Sequence, residues 1–106
     1  MSYAVIIFKA DGTVLQQVQD KAPKYEQLKS AVGGYIETVP HFSKLEYEGK
    51  VYKRGTAFCN EDGRSKQLPH NAKATAAWRA CLGDGPFWYE PNLLGDVIFY
   101  AGFCCL

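Results

Sequence analysis

Residues 23–39 read PKYEQLKSAVGGYIETV, and the hydrophobic period changes in the middle of the run. From Pro23 to Val32 the apolar side chains Tyr25, Leu28, Ala31 and Val32 recur at spacings of three and four, which places them on one face of a helix. Pro23 suits a first helical turn, whose N–H groups have no partner in any case. Gly33-Gly34 supplies the left-handed stop, since glycine enters positive φ without a side-chain penalty. Tyr35-Ile36-Glu37-Thr38-Val39 then reads as a strand, and Pro40 ends it. An amphipathic helix that passes straight into a strand needs a sheet to pack against. The stretch therefore points to an α+β domain.

The flanking sequence supplies the sheet. Residues 3–8 are β-branched and aromatic, and apolar on both faces, as a central strand should be. Asp11-Gly12 punctuates the chain as a tight turn does. Residues 13–19, with Val14 and Val18 set among glutamines, form the second, partly exposed strand of a hairpin. The stretch KLEYEGKVY alternates around Glu48-Gly49 and predicts a small polar hairpin that projects from the core. Thr56-Ala57-Phe58-Cys59 is a further short strand, followed by a polar loop over residues 60–67. A second helix begins near His70-Asn71, with Asn71 as N-cap, with Ala74, Ala77, Trp78, Cys81 and Leu82 on its buried stripe, and with Gly83 at its end. Residues 96–103 are almost wholly apolar and are the second candidate for the sheet centre. The expected fold is a small, mostly antiparallel sheet with two helices packed on it, a β-grasp-like arrangement being one version. Its core should contain Val5, Ile7, Leu28, Val32, Ile36, Trp78, Val97 and Phe99.

At 106 residues the chain reads as a single domain spanning 1–106. Hydrophobic residues make up 47% and charged residues 22%, which excludes a disordered chain, and a net charge of +1 excludes a global field that would draw it to nucleic acid or acidic membrane. The apolar run of residues 4–8 is short and is followed at once by Lys9 and Asp11, unlike a secretory leader, so a cytoplasmic protein is expected. Cys59, Cys81, Cys104 and Cys105 have no Cys-x-x-Cys spacing and read as reduced thiols acting as small hydrophobes. A zinc site from Cys59, Cys81, His41 and His70 is the competing reading, but no two of these stand at ligand spacing. Neither a metal nor a cofactor is expected.

The blocks LKSAVGGYIE (from Leu28 to Glu37), Asn60-Glu61-Asp62-Gly63, Leu68-Pro69 with Asn71, and Leu94-Gly95-Asp96-Val97-Ile98 together resemble the DUF3846 domain, an uncharacterised family common in phages, plasmids and their bacterial hosts. The resemblance runs from about Leu28 to Phe99 and is most specific in VGGYIE. It implies an origin in mobile genetic elements and carries over no catalytic residue.

Chemistry-bearing motifs are few, and each has a plainer reading. Gly33-Gly34 stands at a helix end, where the dipole repels anions, and so is no dinucleotide loop. The carboxylates of residues 60–63 could form part of a calcium loop, but the ladder is incomplete and Arg64 and Lys66 oppose a cation. Cys59 with His70 and Asn71 invites a thiol-nucleophile reading, against which stands the apolar strand around the cysteine. Residues 44–79 hold eight basic and four acidic side chains, a local +4, against −3 for the remainder. Within them Lys50, Lys53, Arg54, Arg64 and Lys66 interleave with Tyr47, Tyr52 and Phe58, a mixture suited to a phosphate backbone and stacked bases. Phe87, Trp88 and Tyr89 lie between Pro86 and Pro91 as a candidate partner-binding loop. The leading expectation is a small phage-type accessory protein that binds a host or viral protein without catalysis. A nucleic-acid-binding module using residues 44–79 is the alternative, and a small enzyme or ligand-binding protein the third reading.

Overall fold

The computed structural model describes residues 2–82 and 92–103. Strands β1 (Ser2–Phe8) and β2 (Val14–Gln19) form the first hairpin, and helix α1 (Tyr25–Val32) leads into β3 (Ile36–Thr38). A second hairpin of β4 (Leu45–Tyr47) and β5 (Lys50–Tyr52) precedes β6 (Thr56–Asn60), α2 (Ala72–Leu82) and β7 (Val97–Phe103). Five strands make one sheet in the order β2-β1-β7-β6-β3, every neighbouring pair antiparallel, and β4-β5 make a separate two-stranded ribbon. The α+β reading holds, and β1 and β7 occupy the centre as their two-sided apolar character requires. A β-grasp runs its first and last strands parallel, whereas here β1 and β7 are antiparallel with Val5 opposite Tyr100, so the likeness ends after the opening hairpin and helix.

Alternation along the central strands divides the core in two. Val5 and Ile98 face α1 and pack with Leu28 and Val32. Ile6, Phe8, Val97 and Phe99 face the other way and pack with Ala74 and Trp78 of α2 and with Val39, Phe42, Leu45 and Leu93. One helix therefore covers each face. Helix α1 stops where expected: Gly33 takes φ 76° and its N–H closes on the Lys29 carbonyl.

Three expectations need correction. Ile7 and Ile36 are only half-buried, because α1 has eight residues and covers part of its face. The β4-β5 hairpin does not project: Leu45 is buried, Tyr47 and Tyr52 lean on the same cluster, and Tyr47 meets Phe8 edge to face. The stripe of α2 runs through Ala74, Thr75 and Trp78, leaving Ala77, Cys81 and Leu82 at its margin. No helix among the described residues is long and apolar enough to cross a membrane.

Candidate functional site

The blocks singled out in the sequence meet in space around two buried asparagines. Asn60, at the end of β6, donates from Nδ2 to the Val32 carbonyl at 3.1 Å, closing the end of α1, and its Oδ1 accepts the Asp62 N–H at 2.8 Å. A Cβ at Gly34 would come within 2.8 Å of that same Nδ2, so the second glycine of VGGYIE makes room for the asparagine. Asn71 is wholly buried. Its Oδ1 accepts the Ala74 N–H at 3.1 Å as the predicted N-cap, and its Nδ2 donates to the Phe8 and Gly95 carbonyls at 2.7 and 2.9 Å. Leu68 N–H bonds to the Gly63 carbonyl, Gly95 N–H to the Pro69 carbonyl, and Asp96 accepts the Ala10 N–H at 2.9 Å. These four blocks thus tie α1, β1, β6, α2 and β7 together.

Beside them, between β3, the end of β6 and α2, opens a cleft of about 270 Å³ lined by Glu37, Cys59, Glu61, Arg64, Trp78 and Asn92 among others. That is below the roughly 300–1,000 Å³ usual for small-molecule pockets. Trp78 donates its indole N–H to the Pro40 carbonyl at 2.8 Å. Burial, with Glu37 adding to it, pushes the Cys59 thiol up to about 11, so it is protonated at neutral pH, the opposite of an activated nucleophile. Asn71 is wholly buried with its amide engaged by backbone groups, and His70 is exposed and bridges β-fashion to Leu94. A protonated Cys59 thiol and an Asn71 amide engaged by backbone do not support the thiol-nucleophile reading of Cys59, His70 and Asn71. No three His, Cys, Asp or Glu side chains gather among the described residues. In the 60–63 turn Asp62 faces Lys66 at 3.9 Å.

The basic residues are placed apart. Lys53 and Arg54 precede β6, Arg64 and Lys66 follow it, and Lys50 lies on the hairpin; all five are exposed. A five-residue strand, about 17 Å long at the usual rise, separates the two pairs. Phe87, Trp88 and Tyr89 lie outside the described residues, as do Gly83, Cys104 and Cys105.

The sheet also has an edge that sequence reading left unused. β2 pairs with β1 only, among the described residues, and its sequence VLQQVQ carries neither charge nor proline. Natural sheets usually blunt such an edge with Lys, Pro or a bulge. The opposite edge, β3, is blunted: it is three residues long, carries Glu37 and runs into Pro40. At the β1-β2 turn the Lys9 N–H bonds to the Thr13 carbonyl at 2.8 Å, and pairs alternate from there. Leu15, Gln17 and Gln19 consequently turn their backbone groups toward β1, and Val14, Gln16 and Val18 turn theirs outward. Leu15 is 46% and Val18 64% exposed.

No family model matches the chain, and no curated protein and no solved structure is significantly similar to it.

Proposed function

We propose that the chain is a non-catalytic binding module that takes up an extended segment of another protein along the free edge of β2. One observation carries this reading: a six-residue, uncharged, proline-free strand that pairs with β1 alone among the described residues and exposes two large apolar side chains. Strand addition at such an edge gains main-chain hydrogen bonds, while alternate side-chain positions supply selectivity. A partner residue paired outside Val14, Gln16 or Val18 would set its side chain on the α2 face of the sheet, and the residues between would face α1. A partner of phage or host origin fits the family that the VGGYIE and neighbouring blocks resemble.

Peptide display against the whole chain tests this. Selection should enrich extended segments with alternating β-branched residues, and Val18→Lys or Gln16→Pro should weaken their binding by about tenfold or more. Proline at position 16 removes an outward N–H that β1 does not use, so it blocks the edge without breaking the hairpin ladder. Equal binding by the parent chain and both variants would overturn the reading. Selective retention of single-stranded nucleic acid at low salt, lost on changing Lys53 and Arg54, would favour the nucleic-acid module instead.

A further inference from the structure

We infer that one occupant of the β2 edge is the β2 edge of a second copy of this chain, paired antiparallel about a two-fold axis through Gln16; this rests on the reading of β2 as a docking edge. The argument is one of register. Only Val14, Gln16 and Val18 offer outward backbone groups, and these three positions are symmetric about the middle one. An antiparallel copy uses all three only when Gln16 meets Gln16 and Val14 meets Val18 on either side, giving about six inter-strand hydrogen bonds in that register. Shifting by two residues in either direction leaves an outward position unpaired on each copy. Shifting by one sets apolar side chains against the wrong face.

The side chains agree with that register. Val14, Gln16 and Val18 share the face of Phe8, Ile6 and Ala4, their partners in β1, so each copy's Val18, 64% exposed, would lie against the half-buried Val14 of the other. The two Gln16 amides would stand side by side, an arrangement in which amides bond each other. On the opposite face Leu15 would lie against Gln17. Charge does not forbid the approach: β2 has none, and the hairpin brings one acid and one base to it. Glu48 lies 3.5 Å from Gln16 Nε2, and Lys50 lines the same hollow as Gln16, Gln17 and Val18. Each copy thus brings one acid and one base to the seam, and the two hairpins add no net charge there. Such a dimer joins two five-stranded sheets through a single strand pair, the weak end of specific association, and a dissociation constant on the order of 100 micromolar is expected. Because it covers the docking edge, the dimer competes with a partner strand, and the chain is released for binding by dilution or by the partner itself.

Sedimentation equilibrium of the full chain, from about 10 micromolar to about 1 millimolar, measures this. The parent chain should pass from monomer to dimer, and Val18→Lys and Gln16→Pro should both remain monomeric with far-ultraviolet circular dichroism unchanged. A second measurement needs no variant: amide exchange at Val14, Gln16 and Val18 should slow with rising concentration while that at Leu15 and Gln17 stays constant. A parent chain monomeric throughout the range overturns the inference, as does a dimer that survives in both variants or that protects other residues. If that monomer still binds selected peptides through β2, self-pairing alone has failed; if it binds none, the docking edge has failed with it.

Discussion

Asn71 does three things with one amide, and no other side chain replaces it. Its oxygen caps α2 at Ala74, and its nitrogen donates to the carbonyls of Phe8 and Gly95. Losing a cap costs about 1 kcal/mol, and each buried hydrogen bond lost costs about as much again. Asn71→Ala should therefore destabilise the fold by about 3 kcal/mol, read from the urea midpoint. Aspartate separates the roles, because it caps helices as well as asparagine does but has no N–H to donate. Facing two carbonyl oxygens, a carboxylate there should recover no more than about 1 kcal/mol of that loss. Full stability in Asn71→Asp would mean that only the cap matters and that the bonds to Phe8 and Gly95 contribute nothing.

At the scale of elements, α1 holds its face of the sheet through Leu28 and Val32, packed on Val5 and Ile98. Leu28→Ala should cost roughly 2–5 kcal/mol, and an unchanged denaturant midpoint would remove that helix from the core. This much was legible in sequence, because the helix period of residues 25–32, the glycine stop, the asparagine cap and the two wholly apolar strands are local signals. What was not legible depends on chain returns that leave no period. Val39, Phe42 and Leu93 are core residues in loops, and His41 at φ 63° makes the turn beside Phe42, an unusual conformation that composition does not announce. The hairpin read as polar because Glu46, Glu48 and Lys50 dominate its text, yet Leu45, Tyr47 and Tyr52 are all turned to the cluster. Candidate sites divided in the same way. The basic residues lie close in sequence but on either side of β6, and the open edge of β2 follows from strand order, which is set by contacts with the far end of the chain.

For the whole molecule, strand order also decides which parts open first. β1 lies between β2 and β7, and β7 between β1 and β6, so their central residues are bonded on both sides and carry both hydrophobic clusters on opposite faces. Neither cluster can come apart without exposing strands that support the other, and so α1, α2 and the central sheet should unfold as one unit. Native-state hydrogen exchange gives this a residue-level pattern. Amides of Val5, Ile6, Ile98 and Phe99 should exchange only through global unfolding, with the full unfolding free energy. β2 should alternate in dilute solution: Leu15, Gln17 and Gln19, bonded to β1, are slowed, whereas Val14, Gln16 and Val18, pointing into solvent, exchange close to unfolded rates. The alternation tests the strand order directly, since a β2 covered on both sides would be protected at every residue. Uniform protection along residues 14–19 in dilute protein would show that the chain itself closes this edge and leaves no strand-wide docking surface there.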